Sequence, residues 1–108
     1  GGRQQGSPGP YRGRKGSLYE GGVRVPGLMT FPNRIAGSQV IDTPCCTSDY
    51  FPTIMDLLGF RLDGQPDPLD GIDLMPLLRG ETDRREHPIG FQSYDQIALA
   101  DDRYKLYS

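Results

Sequence analysis

Apolar residues fall unevenly along the 108-residue chain, and their spacing marks out its elements. Residues 1–17 are mostly Gly, Arg, Ser and Pro with almost no apolar anchor, a composition that stays disordered when free in solution. The run Val25-Pro-Gly-Leu-Met-Thr-Phe31 predicts a short buried strand, led in by Pro26 and ended by Pro32 and Asn33. A turn around Ala36-Gly37-Ser38 and a short extended run at Gln39–Asp42 follow. Ile54, Leu57 and Leu58 fall at helical spacing and predict a helix from about Tyr50 to Leu58. Ser48 or Asp49 supplies its N-cap, Pro52 falls in the first turn, and Gly59 stops it. The same device recurs in Asp73-Leu-Met-Pro-Leu-Leu-Arg-Gly80, which predicts a second short helix. Residues 61–71 read as a Pro/Asp/Gly connection and 81–88 as a charged loop. Ile97 and Leu99 alternate before Asp101-Asp102, and Tyr104 and Leu106 alternate after it, which predicts a β-hairpin with a polar turn.

These elements define an α+β chain: a short strand, one or two helices and a C-terminal antiparallel sheet or hairpin. A helix packed on that sheet would form the core. Ile54, Leu57, Leu58, Leu74, Leu77, Leu99 and Leu106 are the core candidates. The first twenty or so residues are expected to be the least ordered part. Composition adds a constraint. Hydrophobic residues make up 35%, against roughly 45–50% in globular domains on a count that includes Gly. The 15 Gly and 10 Pro shift the chain further toward loops. With a strand pattern running up to Ser108, this favours a piece of a larger protein over a loop-rich small domain.

Charge divides the chain. Residues 1–34 carry Arg3, Arg12, Arg14, Lys15, Arg24 and Arg34 against Glu20 alone, while the remainder is acidic. Such asymmetry can mark an anion-handling segment. No basic stripe with interleaved aromatics points to nucleic acid. Cys45 and Cys46 are adjacent, a spacing that rarely bridges, and read as packing residues. With no CxxC pair and His87 as the only histidine, the chain lacks the spacing of a zinc site. No run approaches transmembrane length and no signal peptide is apparent.

The chemistry lies in Arg12-Gly-Arg-Lys15-Gly-Ser-Leu-Tyr-Glu20-Gly-Gly-Val-Arg24-Val-Pro26, a glycine-rich loop with four cations and one carboxylate. Its glycines permit positive φ or close backbone approach. Lys15, between small residues, can offer its ammonium to an anion as a point charge. Glu20 and Arg24, four apart, can pair. No GxxxxGK[ST] occurs, so this is not a nucleotide-phosphate loop of that kind. Taken by itself, the segment is either an anion-binding loop or a solvated basic one.

The segment resembles the sulfatase family of the alkaline-phosphatase-like superfamily, whose members carry a similar GxKGxxYEGGxRVP stretch. Three later segments continue the resemblance in order: DTP…SDYFPTIMDLLG, LDGIDLMPLLRG and ALADDRYKLYS. The resemblance implies that Lys15 contacts the sulfate group of a substrate, and that Glu20, Arg24, Asp49 and Thr53 are structural. It also implies that the formylglycine nucleophile, made in a C/S-x-P-x-R motif, lies outside the chain, since Cys46 is followed by Thr-Ser-Asp. The calcium ligands of the parent enzyme would likewise lie outside, the last pair just before Gly1, and no cofactor is expected in the chain itself. Residues 1–42 would then be the end of the catalytic domain, and 43–108 an incomplete C-terminal subdomain. The chain would be inactive alone. Its partners would be a sulfated small molecule or carbohydrate and the rest of the parent catalytic domain. Family resemblance places the parent in the periplasm, outside the cell or in lysosomes. Two other readings stay open: a phosphodiesterase or phosphonate hydrolase of the same superfamily, and a non-catalytic glycan- or protein-binding module.

Overall fold

Two glycines terminate the helices as the sequence requires. The computed structural model of the chain describes residues 6–61 and 63–108. Helix α2 spans Tyr50–Leu58, the span its apolar spacing predicts. Gly59 takes φ +62, donating its N–H to the Asp56 carbonyl while Phe60 donates to Met55, a Schellman closure. Helix α3, Met75–Leu78, closes identically: Gly80 at φ +72 donates to Leu77 and Glu81 to Pro76. Their beginnings differ. The Asp73 carboxylate accepts the Met75 N–H at 2.8 Å and starts α3. Asp49 instead ends a 3-10 turn, Thr47–Asp49, and turns its carboxylate back to the Cys46 N–H. Asp49 occupies the N-cap position of α2, as expected, but makes no side-chain cap hydrogen bond to it.

The remaining elements are a one-turn helix, α1 (Glu20–Val23), and strands β1 (Ile89–Ser93), β2 (Gln96–Ala100) and β3 (Lys105–Tyr107). The architecture is thus α+β. The sheet order is β1-β2-β3. A two-residue link, Tyr94-Asp95, joins β1 to β2 and makes that pair antiparallel, with Tyr94 at φ +54. β2 and β3 form the expected hairpin around Asp101-Asp102, in the register Ala98↔Tyr107, Leu99↔Leu106, Ala100↔Lys105.

The chain divides into two compact units. One comprises the described residues up to Leu28, Gly90–Ala100 and Tyr104–Ser108; the other Met29–Ile89 and Asp101–Arg103. In the first, Leu18 and Ala98 are buried. In the second, Leu74, Met75, Leu77 and Ile89 are buried, and α2 packs on α3. Each unit thus has a small core of its own. Leu74 and Leu77 hold as core residues, and Leu57 is half-buried. Ile54, Leu58, Leu99 and Leu106 are exposed. In α2 the buried residue is Thr53, with Pro52, Met55 and Leu57 half-buried around it. In the sheet, Gln96, Ala98 and Ala100 share a face with Lys105 and Tyr107, and residues 18–20 engage that face. Period-two geometry then turns Ile97, Leu99 and Leu106 outward.

Residues 25–31 form no strand. Extended backbone becomes a strand only when its N–H and C=O groups pair with a neighbour. Leu28 is 99% and Val25 80% exposed. Expectations for residues 1–5, including their disorder, lie outside the described residues. Residues 6–20 form hydrogen-bonded turns, with Tyr11 donating to the Pro8 carbonyl and Ser17 to Arg14. Among the described residues, no helix is long and apolar enough to cross a membrane.

Candidate functional site

Lys15 occupies the tip of a turn. The Ser17 N–H donates to the Arg14 carbonyl at 3.0 Å, and Gly16 between them takes φ +93. That is a type II turn with Lys15 at its second position and the glycine its third position demands. The Ser17 hydroxyl also accepts the Arg14 N–H at 3.3 Å. Gln96 on β2 fastens the turn from outside. Its amide nitrogen donates to the Gly16 carbonyl at 3.2 Å, and its oxygen accepts the Leu18 N–H at 3.1 Å. Lys15 is exposed, and among the described residues its ammonium has no hydrogen bond or ion pair.

The residues after the turn explain the glycine pair. Gly21 donates its N–H to the Arg12 carbonyl at 2.8 Å, folding the loop back on itself. A Cβ on Gly21 would overlap the Gly13 carbonyl oxygen, and one on Gly22 the Ser17 carbonyl oxygen. Neighbouring side chains then tie the loop to β3. The Tyr19 ring stacks on Tyr107 with centroids 4.4 Å apart, and the Arg12 guanidinium covers the other partner face of Tyr19 at 4.0 Å. Glu20 pairs with Lys105 at 2.8 Å. This corrects the expected Glu20–Arg24 pair: Arg24 lies over the Tyr11 ring at 4.9 Å instead. With Arg12 and Arg24 on aromatic rings and Lys105 neutralised, Lys15 and Arg14 are the loop's uncommitted cations among the described residues.

The other unit holds a buried polar cluster. Asp49 and Arg85 form a two-pronged ion pair, Nη1 to Oδ2 at 2.7 Å and Nη2 to Oδ1 at 2.8 Å, with side chains 0% and 2% exposed. The same carboxylate accepts the Cys46 and Ile72 N–H groups at 2.7 and 2.9 Å. Thr53 donates its hydroxyl to the Asp49 carbonyl and accepts the Leu74 N–H, linking α2 to α3. Burial alone pushes the Asp49 carboxyl up. The Arg85 hydrogen bonds, then the Cys46 and Ile72 amides, outweigh it and hold the group below the usual carboxylate range. Arg85 is raised above its ordinary value, first by its hydrogen bonds to Asp49. Each partner's shift favours the charged pair. Arg85 Nε is buried without a hydrogen bond.

Lys15, Glu20 and Arg24 thus belong to one loop, and Asp49 and Thr53 to a cluster in the other unit. The sequence reading missed Gln96, Lys105, Tyr107 and Arg85. Arg85 stood in a charged loop like its neighbours, and only the burial of Asp49 marks the need for a cation. Cys45 and Cys46 are both free; Cys45 is exposed, which corrects its reading as a packing residue, and Cys46 is half-buried against Arg85. His87 is exposed beside Glu86. Among the described residues no group of three or more His, Cys, Asp or Glu side chains could hold a metal ion.

No family model matches the chain. Individual proteins do. The chain is 46% identical to the steryl-sulfatase of Mus musculus over 89 residues, 82% of this chain and 14% of that protein. It is 39% identical to human arylsulfatase D over 84 residues, 77% of the chain and 14% of that protein. A sulfatase of Formosa agariphila is 38% identical over 82 residues, 71% of the chain and 14% of that protein. All three are sulfatases. Across the region it shares with them, the chain belongs to the sulfatase family; it spans about a seventh of the length of these relatives.

Proposed function

We propose that the chain is the C-terminal part of a sulfatase that hydrolyses sulfate esters, and that Lys15 is its contact to the sulfate group. The observation that carries this is the Lys15 turn: an uncommitted ammonium on a loop anchored at Gly16, Leu18, Tyr19 and Glu20. Such a loop holds its charge in place before substrate arrives. The ammonium would meet the sulfate oxygens and neutralise charge as the ester S–O bond breaks, a preorganised electrostatic contribution. The substrate is a sulfated small molecule or carbohydrate; the name of the steryl-sulfatases supports a sterol sulfate among the former. Residues 1–42 belong to the catalytic domain and 43–108 to the C-terminal subdomain. As the resemblance implies, the nucleophile and the calcium would come from the remainder of the parent, and no step here runs through either. The parent acts in the periplasm, outside the cell or in lysosomes.

The test is Lys15→Ala in the intact parent enzyme with an aryl sulfate. Loss of one transition-state contact of this kind lowers kcat about 10²–10³-fold. Lys15→Arg restores part of it, because the charge returns with altered reach. Activity within about twofold of the parent would overturn the proposal, taking the cost of a preorganised contact as the yardstick. The 108-residue chain alone is expected to show no turnover of the same ester.

A further inference from the structure

We infer that Gln96 is the positioning residue for Lys15, an inference that rests on the reading of Lys15 as the sulfate contact. Gln96 is half-buried at the start of β2, and its amide bonds on either side of Ser17, the residue that closes the lysine's turn. The nitrogen donates to the Gly16 carbonyl at 3.2 Å. The oxygen accepts the Leu18 N–H at 3.1 Å and the Tyr107 hydroxyl at 3.1 Å. These partners settle the amide's orientation. A peptide N–H can only donate and a carbonyl can only accept, so the oxygen must face Leu18 and the nitrogen Gly16. A side chain of this length with one donor end and one acceptor end is glutamine. Asparagine falls one methylene short. Glutamate could serve Leu18 and Tyr107 but would set an anionic oxygen against the Gly16 carbonyl. The peptide unit that Gln96 grips joins Gly16 to Ser17, so the amide fixes the plane of the turn that aims Lys15. Among the described residues, the turn is otherwise closed only by the Ser17–Arg14 backbone bond and the Ser17 hydroxyl. Gln96 acts on geometry and touches no substrate, so its contribution exists only while the ammonium is there to be aimed.

The experiment is a double-mutant cycle in the intact parent enzyme, reading kcat and KM for an aryl sulfate. Gln96→Ala and Gln96→Glu are each made with Lys15 present and with Lys15→Ala. With Lys15 present, both variants are expected to lose about three- to tenfold in kcat/KM, the share a single hydrogen-bonded contact commonly carries. In the Lys15→Ala background the same changes cost less than about twofold, since effects acting through one group do not add. Gln96→Glu nearly conserves volume and keeps both acceptor bonds, so it decides the matter if Gln96→Ala fails to fold. Equal losses in both backgrounds would mean a merely structural residue and overturn the inference, as would full activity of Gln96→Glu. Those outcomes leave Lys15 as the sulfate contact. Full activity of Lys15→Ala alone removes that reading, and the inference with it.

Discussion

Replacing Arg85 by Met removes the cation from a carboxylate that has no exposure to solvent. Breaking a buried ion pair from one side costs about 3–5 kcal/mol. The lower end applies here. Asp49 would keep the Cys46 and Ile72 N–H groups, and hydrogen bonds to a charged group are worth about 1.5–3 kcal/mol each. Those two amides are also the natural reporters. A loss of about 3 kcal/mol in local stability speeds their hydrogen exchange about 100-fold, measured by mass spectrometry on the intact protein. The pH dependence carries a sign. In the parent protein the folded pKa of Asp49 is lowered, so its stabilisation is present above the unfolded value near ~3.9 and fades as pH falls through the folded value. In Arg85→Met, burial is no longer offset by the cation and the folded pKa rises. The charge-dependent stabilisation that Asp49 supplies above its unfolded value is then reduced. The exchange deficit of the variant must therefore shrink toward acid. A deficit under about 1 kcal/mol, the worth of a surface pair, would refute the reasoning, as would one that grows toward acid. Replacing the pair together, Asp49→Leu with Arg85→Met, is expected to recover only part of the loss, because the Cys46 and Ile72 N–H groups then lose their acceptor.

Other substitutions separate the observed core from the expected one. Leu77→Ala should cost about 2–5 kcal/mol in chemical denaturation, whereas Ile54→Ala, on the exposed side of α2, should cost under about 0.5. Gly22→Ala sets a Cβ against the Ser17 and Arg14 carbonyl oxygens and should cost about 1–3 kcal/mol, read as faster exchange at the Gly21 and Gly22 amides. Glu20→Gln breaks a partly exposed pair with Lys105 and should change stability by less than about 1 kcal/mol, an effect that vanishes in high salt.

What the sequence showed depended on the range of the interactions. Gly59 and Gly80 act through bonds to their own helices, so α2 and α3 could be read at residue level. The β2–β3 hairpin followed from alternation, which is also local. Which face is buried is not local. Ala98, not Leu99, is covered because residues 18–20 engage the side of the sheet that carries Gln96, Lys105 and Tyr107. The β1–β2 turn uses Tyr94-Asp95, which carries none of the usual turn glycine. Val25–Phe31 has strand composition, but a strand also needs a partner, and composition cannot supply one. At the candidate site, the lysine came from its motif. Its supports did not, because Gln96 is 80 positions from Gly16 and Lys105 is 85 from Glu20.

The Asp49–Arg85 pair has a kinetic consequence. Ile72 lies 23 positions from Asp49, and Arg85 lies 36. The loop between Asp49 and Arg85 must close before the pair can form, at an entropic cost that rises with loop length. α2 is local and forms in about a microsecond or less. The pair is therefore expected to fasten late in folding, as a latch on elements already formed. Its loss should leave refolding near its normal rate and make the chain unfold faster, so the latch sets how long the folded state lasts.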